Sequence, residues 1–424
     1  MSTTIQVGSF EDFNLDAKIT KAIKSIGFNT PTPIQAKAIP EVQAGHDLLA
    51  SAQTGTGKTA AYMLPILSRL MQRQEKRRVI RALVLAPTRE LAMQVSRETE
   101  RFGKYLEGFS VGTIVGGVAY AKQIQKIRRG LDVLVATPGR LSDLMDSGRV
   151  DLSQVQVLIL DEADRMLDMG FTEDVHYIAE ATSRQRQTLL FSATLGKNVS
   201  QLARRLLREP KRVEIDPDLK EIGAIEQSIH YAEGQGHKAS IVKHILGLPD
   251  VERTIIFTAT KHQADRVATT LSRSGYSAGA LHGDMRQNAR NRTIGSLRSG
   301  QINVLVATDV AARGLDIDKV SHIINYDIPH SAEDYVHRIG RTGRAGKSGT
   351  AVSLVTIADK PQLKDIETFI GHKIKPSLIP GLEPSNLALF EILQGGDSDS
   401  RKFGSRSGRG GRSRGRRMSS APSW

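Results

Sequence analysis

The chain has 424 residues, 39% apolar and 25% charged, a length and composition suited to roughly two or three soluble domains that each bury a core. It contains no cysteine, which excludes disulfides, thiol catalysis and cysteine-ligated zinc. No apolar run approaches the roughly 18 residues of a membrane span, and residues 1–10 lack a charged-then-apolar leader pattern, so a cytoplasmic protein is expected. The net charge is +14, and residues 401–424 hold seven Arg, one Lys and no acidic residue. That distribution suits a polyanionic partner, although a basic tail kept for solubility has the same composition.

The first predicted strand is 47–50 (DLLA), followed by a turn rich in Gly and Thr and a helix over 60–70. Residues 82–86 (ALVLA) come next, then a helix over 88–103, where Leu91, Val95 and Phe102 recur at near-helical spacing. Runs 133–136 (VLVA), 155–160 (VQVLIL) and 188–191 (TLLF) complete a first group. Segment 210–227 has two prolines, mixed charge and no sustained period, which predicts a linker between a first domain (1–209) and a second (228–378). The second group is 254–257 (TIIF), 304–307 (VLVA), 322–326 (HIINY) and 351–355 (AVSLV). Such short, continuously apolar runs suit strands covered on both faces, so an α/β architecture of mostly parallel sheets flanked by helices is expected. Pro380 and Pro384 end regular structure, leaving an extension over 379–424. From Gly395 it is mostly Gly, Ser and Arg, a composition that predicts disorder.

Ala52-Gln53-Thr54-Gly55-Thr56-Gly57-Lys58-Thr59 fits a phosphate-binding loop with Ala in place of the first Gly. Small residues let backbone N–H groups turn toward phosphates, Lys58 adds a cation, and the Thr59 hydroxyl suits Mg²⁺. Segment 346–348 (GKS) is not a second such loop, because Arg341 stands where the first Gly should and no strand directly precedes it. Asp161-Glu162-Ala163-Asp164 follows a buried strand. There Asp161 suits Mg²⁺, and Glu162 suits a base that orients or deprotonates water. The same acidic run could cap a helix, but the phosphate loop upstream favours chemistry. His337-Arg338-Ile339-Gly340-Arg341-Thr342-Gly343-Arg344 spaces three Arg by three. Alone it reads as a solvated helix face. In a two-domain ATPase, Arg341 and Arg344 are candidates to reach the γ-phosphate.

Together these residues resemble the motif set of the DEAD-box RNA helicases from Phe10 to about Val355. The resemblance implies two RecA-like domains, ATP and Mg²⁺ as cofactors, and RNA as partner. It also implies that Phe28 stacks on adenine, Gln35 reads its edge, and Phe10, Thr54 and Asp316 contribute to the nucleotide site. Pro87-Thr88-Arg89-Glu90-Leu91, Gly116-Gly117 and Thr137-Pro138-Gly139-Arg140 are similar to the family's RNA-contacting motifs. So are the segments around Gly283, Gln287 with Arg290, and Thr308. Ser192-Ala193-Thr194, with Asp164 and His337, is similar to the elements that couple hydrolysis to strand separation. One departure is Leu297, where the family often has Phe. The simple basic tail resembles the Arg/Gly-rich extensions of bacterial members, which implies ribosomal or RNA-decay proteins as partners. The oligomeric state is not legible. The implied activity is ATP hydrolysis that unwinds short RNA duplexes or remodels RNA–protein complexes. An ATP-dependent RNA clamp and a DNA translocase on the same core stay open as alternatives.

Arginines on a flexible chain bind phosphates without regard to sequence and with strong salt dependence. Deleting residues 401–424 is therefore expected to weaken RNA binding and flatten its salt dependence while basal ATP hydrolysis survives. Titrating labelled RNA at two salt concentrations checks this, and unchanged affinity would exclude the role.

Overall fold

The computed structural model describes residues 8–52, 55–71, 78–215, 225–312, 317, 320–343 and 349–385. The first sheet contains β1 (Leu48–Ser51), β2 (Ala82–Leu85), β3 (Val111–Ile114), β4 (Val133–Ala136), β5 (Val157–Leu160), β6 (Gln187–Ser192) and β7 (Lys211–Glu214), in the order β3-β4-β2-β5-β6-β1-β7. The second contains β8 (Ile225–Tyr231), β9 (Thr254–Phe257), β10 (Ala278–Leu281), β11 (Val304–Ala307), β12 (His322–Asn325), β13 (Gly349–Val355) and β14 (Lys375–Pro376), in the order β10-β11-β9-β12-β13-β8-β14. Every pairing is parallel. The two orders are identical once each strand is counted from the start of its own sheet, a likeness invisible in the side chains.

Parallel strands need crossover connections, and the helices that supply them cover both faces of each sheet. Along β2, Ala82 and Val84 enter one core while Leu83 and Leu85 enter the other, and β5 divides in the same way. The second sheet repeats this with Ile255 and Phe257 on one face and Ile256 on the opposite one. This division explains the unbroken apolar runs. Leu297, the departure from the family pattern, is fully buried in the second core. Phe10, Phe13, Ile19 and Ile23 pack into the first core, so the N-terminal segment belongs to that domain. No helix among the described residues is long and apolar enough to cross a membrane.

The segment expected as a linker is shorter than 210–227. Its start forms edge strand β7 beside β1, and its end forms the first residues of β8. In β7 only Val213 is buried, so the strand carries almost no apolar signal. The extension also begins later than 379: Ile379 is buried in the second domain, and Leu382 packs there and accepts a hydrogen bond from His237 through its carbonyl.

Beneath β2 and β4, buried Arg81 pairs with buried Asp132 at 2.6 Å. It also donates to the Leu70 carbonyl at 2.7 Å, and Asp132 accepts from the Ser110 N–H at 3.0 Å. Removing one partner of such a pair strands the other charge. Asp132→Ala should therefore cost about 3–5 kcal/mol. The double change Asp132→Ala with Arg81→Met should cost less than Asp132→Ala alone, as read by urea midpoints.

Candidate nucleotide and nucleic-acid sites

The phosphate loop leads from the end of β1 to the helix Lys58–Met71. Gly55 and Gly57 have φ of 92° and 87°, a left-handed backbone that favours glycine. A Cβ on Gly57 would also lie 2.3 Å from Gln35 Nε2. The loop is braced from the helix Pro33–Gln43: Gln35 Nε2 donates to the Gly57 carbonyl at 3.1 Å, and the Thr32 hydroxyl donates to the Thr56 carbonyl at 2.7 Å. Gln35 Oε1 accepts from the Thr32 N–H at 2.9 Å. These bonds use one donor and one acceptor site of the amide, and each of its ends has a second. Buried Lys58 donates from Nζ to the Ala52 carbonyl at 3.1 Å.

Asp161 directly follows β5 and is buried, and the hydroxyl of Tyr62, 99 residues away in the chain, donates to its Oδ2 at 2.9 Å. Burial raises the Asp161 pKa to about 6, with Glu162 pushing the same way and Lys58 pulling it down. Burial, with help from Asp161, lifts Tyr62 well above the ordinary phenol range, and the Thr59 hydroxyl bonds to it. Asp161 Oδ1 is buried with no hydrogen-bond partner among the described residues. A buried carboxylate oxygen left unpaired is costly, and it fits a hydrated Mg²⁺, which needs only one or two carboxylates besides phosphate oxygens. Accordingly, no cluster of three or more potential ligands occurs among the described residues.

Glu162 caps the helix Ala163–Asp168 with φ of 54°, a left-handed conformation costly for a residue with a Cβ. Such strain gathers at functional sites. Its carboxylate is buried and pairs with Arg165 at 3.1 Å. Asp164 faces the end of β6, where its Oδ2 accepts from the N–H groups of Ala193 and Thr194 at 3.1 and 3.2 Å and from the Thr194 hydroxyl at 3.4 Å. The Asp164 N–H donates to the Ser192 hydroxyl at 3.4 Å. The acidic tetrad and the Ser-Ala-Thr segment are thus one hydrogen-bonded unit.

From the second domain, His337 and Arg341 line a cleft of about 460 Å³ together with Glu162, Asp164 and Thr194. Arg338, between them, is a structural anchor. It grips Asp309 with two bonds of 2.6 and 2.7 Å, donates to Asn325 and to the Asp327 carbonyl, and lies 5.0 Å from the Phe257 ring centre.

Phe28 is half-exposed and offers a ring face. Phe10 is only 3% exposed and stacks on Phe28 with ring centres 6.2 Å apart, so it backs that ring instead of presenting its own face.

A second groove, about 1000 Å³, gathers Thr88, Arg89, Gly117, Thr137, Arg140, Gly283 and Arg290 from both domains. Thr308 does not line it; its carbonyl starts the short helix Asp309–Ala312 by accepting from Ala311 and Ala312. Thr88 and Thr137 cap the helices Arg89–Phe102 and Pro138–Asp146. Arg140 lies 3.9 Å over the Tyr120 ring. The domains are tied across the groove: Arg89 Nη1 donates to Gln287 Oε1 at 2.8 Å, and Arg290 pairs with Glu90 at 3.0 Å. Burial lowers the Arg89 pKa, and Arg290 and Arg140 add to that against the pull of Glu90. Gly116 and Gly117 are small because Arg89 lies against them; a Cβ on Gly117 would meet its Nη1 at 1.9 Å.

Tyr62, Arg165 and the pairing of Glu90 escaped the sequence reading. A tyrosine in an apolar helix looks like core, and a charge pair 200 residues apart leaves no local pattern. Thr54, Asp316, Arg344, segment 346–348 and the tail from 395 lie outside the described residues.

A phosphate loop, a buried acidic pair at a strand end and a basic segment facing them from a second parallel sheet define a two-domain nucleoside triphosphatase. Residues 32–202 match the DEAD/DEAH box helicase family, and residues 237–346 match the helicase conserved C-terminal domain. The chain is 44% identical over 391 residues to the ATP-dependent RNA helicase SrmB of Escherichia coli K12, covering 92% of this chain and 88% of that protein. It is 42% identical over 386 residues to the ATP-dependent RNA helicase DeaD of Mycobacterium tuberculosis H37Rv, covering 91% and 67%. Among solved structures, Saccharomyces cerevisiae Dbp5 bound to RNA and ADP BeF3 superposes with a TM-score of 0.79 at 32% identity, over 87% of this chain and 95% of that one. Mss116 bound to ssRNA and AMP-PNP gives 0.80 at 28% identity, over 92% and 83%. The two sheets are RecA-like domains, and the chain belongs to the DEAD-box family of ATP-dependent RNA helicases, which are RNA-stimulated ATPases.

Because the folded pKa of Asp161 lies above the ordinary carboxylate range, folding favours its protonated form. Stability present at low pH is therefore lost as pH rises through about 6. Asp161→Asn cannot ionise and escapes that loss. Without Mg²⁺ and nucleotide, its melting temperature should exceed that of the wild type by a margin that grows between about pH 4 and about pH 6 and is level above. Thermal melts at several pH values check this, and a margin flat with pH would contradict the burial argument.

Proposed function

We propose that this helicase closes its two domains on ATP and RNA together, and so opens short RNA duplexes or remodels RNA–protein complexes. The observation that carries this reading is that both candidate sites are shared: the cleft at Glu162 and the groove at Arg89 each draw residues from both domains. Relatives bound to RNA and nucleotide analogues have a similar structure across both domains, which supports reading this arrangement as the closed one. RNA that bridges the groove favours the geometry that completes the cleft, so the two ligands should bind with positive, reciprocal coupling.

Adenine stacks on Phe28, which Phe10 backs, and Gln35 offers its second donor and acceptor to the base edge. The loop from Ala52 to Gly57 and the Lys58 ammonium hold the phosphates, with Asp316 as a further contact. Thr59 and Asp161 would hold Mg²⁺, which would neutralise phosphate charge. Glu162 takes a proton from water as the water oxygen attacks the γ-phosphorus and the bond to the β–γ bridging oxygen breaks, leaving ADP and phosphate. Arg341 and Arg344 stabilise the charge that develops on the transferred group. The clasp of Asp164 on Ser192, Ala193 and Thr194, with His337 opposite, ties the state of the nucleotide to the placement of the second domain. In the groove, Thr88, Arg89, Gly117, Thr137, Arg140, Gly283 and Arg290 serve the phosphodiester backbone, which positions RNA without reading its sequence, while Thr308 acts from outside the lining by starting the helix that carries Val310.

Glu162→Gln keeps the size and polarity of the side chain but accepts no proton. RNA-stimulated ATP turnover should fall by about two powers of ten or more, while binding of a nonhydrolysable ATP analogue and of single-stranded RNA is kept. Turnover equal to wild type would remove Glu162 from the role of base.

A further inference from the structure

Arg165 lies in the helix that Glu162 caps, outside every residue role assigned above, and is almost fully buried. One arm of its guanidinium, Nη1, donates to Glu162 Oε2 at 3.1 Å. The other, Nη2, crosses to the second domain and donates to the Val310 carbonyl at 2.5 Å. Val310 lies in the helix Asp309–Ala312, lines the nucleic-acid groove and stands two residues after Thr308. Its neighbour Asp309 is gripped by Arg338, which stands next to His337 and three residues before Arg341. A single planar group therefore joins the buried carboxylate of the first domain to the second-domain segment that meets both the groove and the arginine-bearing helix.

We propose that Arg165 is a positioning residue that fixes the Glu162 carboxylate in its working orientation only when the second domain is seated, so that RNA in the groove sets the base for hydrolysis. The proposal rests on the reading of Glu162 as that base. A guanidinium is a rigid fork, and satisfying both arms fixes the plane of the group and with it the carboxylate it holds. When the domains part, Nη2 loses the Val310 carbonyl and the arginine gains access to water. One arm then still neutralises Glu162 but no longer dictates its orientation. The cross-domain acceptor is a backbone oxygen, so the bridge reports the position of the main chain beside Thr308 and not the identity of a side chain. It is also separate from the Arg89–Gln287 and Arg290–Glu90 ties, which cross the groove without touching the acidic tetrad.

Arg165→Lys tests the bridge in the full chain, because an ammonium can neutralise Glu162 but has no second arm in a fixed plane. ATP turnover is measured with and without saturating polyuridylate RNA, alongside the KM for ATP and the melting temperature. The ratio of RNA-stimulated to RNA-free turnover should fall about tenfold, within the range usual for coupling between two sites. The KM for ATP and the melting temperature should stay close to wild type. Arg165→Gln, which keeps a donor to Glu162 and likewise lacks the fork, should lower the same ratio, with a lower melting temperature because the buried Glu162 carboxylate loses its counter-charge, and its ratio stands in if the lysine variant does not fold. Two results would overturn the proposal: a wild-type ratio in these variants, or an equal loss with and without RNA accompanied by lower melting temperature. Glu162→Gln, run in parallel, separates the two readings. If it is inactive while Arg165→Lys behaves as wild type, only the role of Arg165 is lost; if it turns over normally, the base assignment fails first.

Discussion

Burying an ionised carboxylate is costly unless something takes up its charge, and the first domain is arranged around two of them. Asp161 and Glu162 emerge side by side from a strand covered on both faces, so both inherit the dryness of the core. Lys58 is brought near Asp161 by the helix that follows the phosphate loop, Tyr62 holds one oxygen, and Arg165 answers Glu162. The remaining Asp161 oxygen has no hydrogen-bond partner among the described residues. Among the described residues this site is left short of positive charge, which a bound cation would supply.

The groove inverts that arrangement. There the surplus is positive, and Arg290 lies close enough to disfavour the charge on Arg89. Glu90 and Gln287 hold the two arginines in place from opposite domains. Glycines at 116 and 117 make room for the Arg89 guanidinium, so these small residues serve the protein's own side chain before any ligand arrives. A preorganised arginine loses less freedom when it meets a phosphate than a solvated one does.

What was legible in the sequence follows from which physical signals are local. Strands at the centre of each sheet, such as β2, β5, β9 and β12, announce themselves as apolar runs because both faces are covered. The edge strands β3, β7, β10 and β14 did not, since they carry glycine, alanine or charge where one side meets solvent. Internal β8 was missed because Glu226, Gln227 and Ser228 interrupt its buried Ile225, Ile229 and Tyr231. The phosphate loop and the acidic tetrad are contiguous motifs and were readable. The second linkage of Gln35, to the loop and not only toward a base, was not, because it depends on a contact 22 residues away that only the fold creates. The same holds for Arg165, whose importance lies in what it touches 145 residues downstream.

The two sheets are laid out strand for strand in the same order, yet they are not equivalent at their first crossover. In the first domain β1 opens into a glycine-bearing turn that delivers Lys58. In the second, β8 passes through Ala232, Glu233 and Gly234 straight into the helix Gln235–Leu246, with an acidic side chain where the loop would gather negative charge. Two sheets of one layout thus differ at the same corner, the first carrying a phosphate cradle and the second an acidic turn. Among the described residues the pair holds one fuel chamber, so under the proposed closure a single triphosphate would govern the placement of both lobes.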